Sequence, residues 1–287
     1  MKIENSKIEN FRHDVWDYYK NNGRHNLPWR KTKDPYRILV SEVMLQQTQV
    51  SRVIEKYKAF LIRFPNVRRL AEAPLSDVLK AWSGLGYNRR AKFLRAAAEV
   101  IVRGYSGRVP KAAIVLRTIP GVGPYTASAV RIFAFNEPDV LIETNVRTVY
   151  IHHFFVDTSK PIGRHKLMRG QNTIHDDDIL LLAKQVAEGQ DPRTWHWALM
   201  DYGVHIKKLH GNPARRSAHY TRQSKFEGSP RQVRGRVIRV LAHEQLTERQ
   251  LMKGLKGKER EKWELALAGL VRDGLVVKKK GKWGIKD

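Results

Sequence analysis

The sequence predicts a mainly α protein, all-α up to about Gly203 and followed by a small α+β unit with the element order of a winged helix. Three observations predict it. Apolar residues recur at three- and four-residue spacing through most of the chain up to Gly203. Glycines and prolines cut that pattern into short segments. Strand-like runs are confined to the stretch after Gly274.

In order, helical periodicity covers Ile38–Val50, Val53–Phe64, Ser76–Ser83 and Arg89–Val102. Breaks fall at Pro65, Pro74, Gly84-Leu85-Gly86, Gly104, Gly107, Pro110 and Pro120-Gly121. Residues 1–203 therefore read as one helical domain, and no internal repeat is visible. Composition changes after Gly203: residues 204–236 carry nine Lys or Arg against one acid, Glu227. Residues 204–230 read as a basic connector. A flexible solubilising linker and a DNA-contacting segment both fit, and the unbalanced charge favours contact. Residues 231–287 form the last unit. A helix is expected near Gln232–His243, and Thr247 with Gln250 is a capping box opening a short second helix. A third helix spans about 259–273, then Leu275-Val276-Val277 and Trp283-Gly284-Ile285 flank a Lys280-Gly281 turn as a two-stranded hairpin. Winged helices bind DNA or other proteins, and the sequence leaves both open.

Composition bounds the partner. The 287 residues are 41% hydrophobic, enough to fold. Lys and Arg total 54 against 28 acids, a net charge of +26, which implies a polyanion. No apolar run approaches a membrane span and no signal-peptide pattern opens the chain. Nucleic acid is thus favoured over a membrane, in the cell interior, and a monomer is expected; a basic protein from a high-pI proteome is the bland alternative. The chain has no cysteine, which excludes disulfides, thiolate zinc sites and cysteine-ligated iron–sulfur clusters.

Four motifs carry chemistry. Thr118-Ile119-Pro120-Gly121-Val122-Gly123-Pro124-Tyr125 reads as a helix end, a glycine hairpin and a new helix start, whose amides suit a phosphate. Leu27-Pro28-Trp29-Arg30 precedes Val40-Ser41-Glu42-Val43-Met44-Leu45-Gln46-Gln47-Thr48-Gln49. There Glu42 sits among apolar residues that should raise its pKa toward general-acid use; taken alone, a solvent-facing glutamate is the commoner outcome. The others are Gly84-Leu85-Gly86-Tyr87-Asn88-Arg89-Arg90 and Leu141-Ile142-Glu143-Thr144-Asn145, with Glu143 at a helix start.

Together and in this order, the four motifs resemble the A/G-specific adenine DNA glycosylases (MutY-like) of the helix-hairpin-helix superfamily, over roughly residues 10–205. The resemblance implies the helix-hairpin-helix glycosylase fold of two helical subdomains, with the active site in the cleft between them. It implies hydrolysis of the N-glycosidic bond of adenine mispaired with guanine or 8-oxoguanine, in double-stranded DNA, in base excision repair at the cytoplasmic nucleoid. By the same resemblance Glu42 protonates the base and handles the water. Glu143 stabilises the oxocarbenium-like sugar, and Asn145 is an active-site asparagine. Tyr125 stands where bifunctional relatives carry a Schiff-base lysine, implying a monofunctional enzyme. Trp29, Arg30, Leu45 and Thr48 fall around the extruded base or its partner. Gln47 and Tyr87 wedge into the duplex. Gly121 and Gly123 grip a phosphate, and the carbonyls of Arg117, Ile119 and Val122 match a monovalent-cation site.

The chain departs from that pattern in three places. The family's four cluster cysteines are missing after Leu199-Met200-Asp201-Tyr202-Gly203, so no iron–sulfur cluster or other required cofactor is expected. Arg215 and Arg216 in the basic stretch are expected to take over the cluster loop's charge. The usual C-terminal domain that reads 8-oxoguanine is replaced by the winged-helix-like unit. The family's catalytic aspartate is here Glu143, and Trp197 falls where a Gln or Glu often approaches the base; core placement of Trp195 and Trp197 is the commoner outcome for tryptophan. A same-fold glycosylase for uracil, thymine mispairs or a deaminated purine, with or without strand-nicking lyase activity, is the first alternative. A catalytically inactive DNA-binding protein is the second.

Overall fold

The computed structural model describes residues 4–155 and 173–286. Its helices, in chain order, are α1 (Asn5–Asn22), α2 (Pro35–Leu45), α3 (Val50–Arg63), α4 (Val67–Glu72), α5 (Leu75–Trp82), α6 (Arg89–Tyr105) and α7 (Ala113–Leu116). They continue with α8 (Pro124–Phe135), α9 (Thr144–Tyr150), α10 (Asp176–Ala187), α11 (Pro192–His210), α12 (Pro230–Leu241), α13 (Glu248–Leu251) and α14 (Gly257–Arg272). Among the described residues, no helix is long and apolar enough to cross a membrane.

Two units emerge, each built from two separate stretches of chain. The first comprises Met1–Lys33 and Pro124–Arg222, and the second Asp34–Gly123 and Gln223–Asp287. In the first unit α11 packs on α9 and α1. Its core is aromatic: Phe11 meets Phe154 edge-on at 4.9 Å and Trp195 at 6.1 Å. Trp195 and Tyr150 are essentially fully buried, each burial being worth roughly 2–3 kcal/mol. Gly203 makes the helix approach possible, because a Cβ there would lie 2.4 Å from the Asn145 carbonyl oxygen.

In the second unit α4 packs on α6, and α12 on α14. The sheet there has three strands rather than the two expected. Strand β1 (Leu246–Thr247) pairs antiparallel with β3 (Lys282–Ile285), which also pairs with β2 (Val276–Lys279). A two-residue strand carries too little periodicity to read from sequence. The Lys280-Gly281 turn has both φ values positive, as a tight hairpin requires. The expected capping box forms, with Thr247 and Gln250 bonding reciprocally. Lys92 of α6 donates to the Asp273 carbonyl at 2.8 Å, and Arg89 and Arg234 pair with the Asp273 carboxylate. The C-terminal helices are thus tied to residues 89–92 within one unit.

Two expected boundaries move. The helix read to Val50 stops at Leu45, because Gln47 takes a left-handed φ of 52°. The expected basic connector does not begin at residue 204: α11 continues to His210, carrying Lys207 and Lys208 inside the helix. Helical spacing of Gly203, Ile206 and the stems of its lysines outweighs the run of charge. Beyond it, a 3₁₀ turn at Pro213–Arg216 is pinned by Ile174, whose N–H donates to the Arg216 carbonyl at 3.0 Å.

Candidate active site

Glu42 lies on α2, whose entry is set by Pro35 at the first turn and by Asp34, which accepts from the Tyr36 amide at 2.8 Å. Eight of its residues, from Tyr36 to Met44 apart from Arg37, are buried, and Glu42 itself is only 5% exposed. The solvent-facing alternative is thereby excluded. The end of α2 is held by a residue that the motif reading passed over. Arg90, buried on α6, donates from Nη1 to the carbonyls of Val43 (2.8 Å), Met44 (3.0 Å) and Gln46 (2.7 Å). Its Nη2 donates to the carbonyls of Leu85 and Gly86 and to the Thr48 hydroxyl, all at 3.1 Å. Burial lowers its pKa to about 10. One guanidinium therefore satisfies the open carbonyls of a helix end and joins them to the Gly84–Tyr87 turn.

That clamp positions both expected wedges. Gln47 and Tyr87 are each in the left-handed region, with φ of 52° and 48°. The Tyr87 hydroxyl accepts from Gln223 at 2.8 Å and from Arg231 at 2.7 Å, and the Arg231 guanidinium lies 5.1 Å over its ring. Neither Gln223 nor Arg231 stood out in sequence, where they were two members of a basic run. Gln46, Gln47, Tyr87, Arg89, Phe93, Gly121, Arg231 and Arg234 border one open cavity of about 480 Å³. Thr48 is spent on Arg90 and on the Gln46 carbonyl. Leu45 is half-buried beside it.

The hairpin forms as expected between α7 and α8. Val122 N–H donates to the Ile119 carbonyl at 3.1 Å, and Gly121 has φ +76°. A Cβ on Gly121 would also lie 2.6 Å from the Phe93 Cβ, so glycine is required twice over. Gly123 is exposed and faces open space. Of the three carbonyls expected around a cation, that of Ile119 already accepts the Val122 amide and keeps one lone pair; Arg117 is exposed and Val122 buried. Among the described residues no group of three or more His, Asp or Glu is placed to hold a metal.

In the first unit Glu143 caps α9. Its Oε1 accepts the amides of Asn145 (2.7 Å) and Val146 (2.9 Å), and Oε2 accepts Asn145 Nδ2 at 3.3 Å. Asn145 Oδ1 in turn accepts Lys207 Nζ at 2.8 Å. Tyr125 is half-buried on the first turn of α8. Trp29 is buried, and so is Trp195. Trp197 is half-buried and stacked on Phe133 at 6.0 Å, with the Arg30 guanidinium 5.4 Å from its ring.

Arg30 needs correction as a DNA contact. Its side chain is 4% exposed and forms a bidentate pair with Asp201, at 2.7 and 2.9 Å. Arg24 donates its backbone amide and Nε to the same carboxylate, both at 2.7 Å. These bonds and positive charges hold the Asp201 carboxyl below its ordinary pKa against the opposing effect of burial. Arg30 therefore ties the start of the unit to α11. Arg215 is exposed, as a DNA-contacting role requires, whereas Arg216 is half-buried.

Residues 40–170 match the family described as HhH-GPD superfamily base excision DNA repair protein. An adenine DNA glycosylase of Mycobacterium tuberculosis is 36% identical over 231 residues, covering 75% of this chain and 73% of that protein. The chain belongs to the HhH-GPD superfamily. Another adenine DNA glycosylase, from Buchnera aphidicola subsp. Baizongia pistaciae, is 37% identical over 147 residues; the match covers 51% of this chain and 42% of that relative's length. Among solved structures, a thermostable thymine-DNA glycosylase superposes with a TM-score of 0.60 at 25% identity, over 75% of this chain and 94% of that one. The superfamily's fold thus accounts for the helical units and for the hairpin.

Proposed function

We propose that the chain is a monofunctional DNA glycosylase that hydrolyses the N-glycosidic bond of adenine mispaired with guanine or 8-oxoguanine. The observation that carries this is the pair of acids: a buried Glu42 on α2 and a helix-capping Glu143 held by two backbone amides. In the proposed reaction Glu42 gives a proton to a ring nitrogen of adenine. The C1′–N9 bond then breaks, its electron pair leaving with the base. Glu143 stabilises the cationic sugar. Water adds to C1′ and returns a proton to Glu42, leaving an abasic site and free adenine. Tyr125 supplies no amine at the usual lyase position, which supports hydrolysis without strand cleavage.

The hairpin amides at Gly121–Gly123 would hold a phosphate, with a monovalent cation on the carbonyls of Arg117, Ile119 and Val122 as an accessory. The charge of +26 supports a duplex partner, engaged by a monomer at the nucleoid. No cysteine is available for a cluster, so the basic stretch including Arg215 and Arg216 takes over DNA contact there.

The structural neighbour that acts on thymine, together with a stacked Trp197 near the start of α11, supports a second reading in which uracil or a thymine mispair is the substrate. Single-turnover base release across all mispairs and common lesions decides between them. Release of adenine opposite guanine or 8-oxoguanine, lost in Glu42→Gln while DNA affinity stays, is the expected result. Excision of uracil but not adenine would overturn the adenine assignment, and full activity in Glu42→Gln would overturn the role of Glu42.

A further inference from the structure

A lysine of α11 reaches the Glu143 cap through two bonds: Lys207 Nζ donates to Asn145 Oδ1 at 2.8 Å, and Asn145 Nδ2 donates to Glu143 Oε2 at 3.3 Å. The order of these bonds has one consistent sense. An ammonium can only donate and a carboxylate can only accept. The amide between them must therefore turn its oxygen to Lys207 and its nitrogen to Glu143. Flipping it would set oxygen against carboxylate and N–H against ammonium, losing two charge-assisted hydrogen bonds together. The backbone amides of Asn145 and Val146 are spent on Oε1, so among the described residues it is the Asn145 side-chain amide that holds Oε2.

We propose that Lys207 is a positioning residue: by locking the Asn145 amide it fixes Glu143 Oε2 in the direction that faces the developing sugar cation. This rests on the reading of Glu143 as the carboxylate that stabilises that cation. A glutamate has one more rotatable bond than an aspartate, so its carboxylate needs the extra restraint that this relay supplies. The packing at Gly203 brings the Asn145 backbone against α11 and so sets Lys207, one turn further along that helix, within reach.

The surroundings make the relay dependent on protonation. Burial lowers the Lys207 pKa from its ordinary value, followed by a raising effect from Glu143 and a lowering one from Arg147. Arg147 is itself held by both Asp176 carboxylate oxygens, at 2.7 and 2.8 Å. On α11 His205 stacks on Tyr18 of α1 and His210 on His152, and the turn packed on α9 brings Arg215 and Arg216. A neutral amine can accept a hydrogen bond as well as donate one, so deprotonation of Lys207 releases the amide to flip. Activity should then fall at alkaline pH before an ordinary lysine would titrate.

The test has two independent arms on the full chain. In the first, single-turnover base release and DNA affinity are measured from pH 6 to 10.5 for the wild type, Lys207→Met and Lys207→Arg. Lys207→Met is expected to lose roughly ten- to a hundredfold in rate, with affinity within about twofold if one phosphate contact or fewer is at stake. Lys207→Arg is expected to keep most of the rate and to move the alkaline decline to higher pH. A purely structural lysine would leave that decline where it is in both active proteins. In the second arm, the Asn145 side-chain amide is followed by NMR in asparagine-labelled protein, assigned with Asn145→Asp. It should shift with an alkaline midpoint in the wild type and stay flat in both variants. A flat wild-type titration, or an unchanged one in Lys207→Arg, overturns the relay whatever the activity. Absence of base release from every substrate overturns the proposed function instead, and leaves the NMR arm to decide the relay.

Discussion

Replacing Arg90 with Met is the most informative perturbation of the second unit. The guanidinium meets five carbonyls and one hydroxyl at 2.7–3.1 Å through Nη1 and Nη2. Those two nitrogens carry four N–H groups, so about four full hydrogen bonds are lost. Each hydrogen bond to a charged group contributes roughly 1.5–3 kcal/mol. Against that stands the cost of burying the cation, visible in its lowered pKa of about 10. Removing the cation recovers that cost but strands the carbonyls of Val43 and Met44, which no longer have this partner at the closed end of α2. A net loss of about 3–5 kcal/mol follows, a factor of roughly 150 to 5,000 in the folding equilibrium. Urea unfolding followed by tryptophan fluorescence measures it, with Trp82 stacked on the guanidinium as a local reporter. Arg90→Lys should recover only part of the loss, because one ammonium cannot span the two groups of acceptors. A loss under about 1 kcal/mol in Arg90→Met would refute the clamp.

Three further outcomes are expected. Gly203→Ala should separate α9 from α11, because its Cβ meets the Asn145 carbonyl oxygen at 2.4 Å; thermal unfolding should shift down and base release fall, and an unchanged rate would show that the Asn145 position does not matter. Stability should decline in acid through His153, whose folded pKa is about 3, first because it is buried and then because His152, Lys7 and His210 add positive charge. The unfolded chain binds a proton below about 6.5 and the fold resists it, so stability present above that pH is lost as pH falls toward 3, up to roughly 5 kcal/mol; urea midpoints at two pH values in wild type and His153→Phe read this out, the variant showing the flatter acid limb. Replacing Arg215 and Arg216 with Ala should lower the slope of log affinity against log salt by about 1 to 2, and an unchanged slope would remove the basic stretch from the DNA footprint.

Much was legible in the sequence because the signals were local. The helices of residues 35–105, the hairpin around Gly121, the capping box at Thr247 and Gln250, and Glu143 at a helix start follow from periodicity, glycine and cap chemistry. These depend on residues within one or two turns of each other. The misreadings share one cause: side-chain partners far apart in sequence. Arg30 looked like a free cation beside Trp29, yet its carboxylate lies 171 residues on, at Asp201. Lys207 and Arg231 looked like members of one basic run, yet one reaches Asn145 and the other Tyr87.

The sequence by itself determined the helical class, the excess of positive charge and the absence of any cysteine that could hold a cluster, and it nominated the acids Glu42 and Glu143. Local pattern and composition suffice for those. Only the tertiary structure decided which cations are free to meet DNA and which are consumed in holding carbonyls and carboxylates in place. It also decided that the C-terminal helices belong with residues 34–123, and that Glu143 is braced from a second helix. The physical reason is that a charge's role is set by its desolvation and by its nearest partner, and long-range packing chooses both.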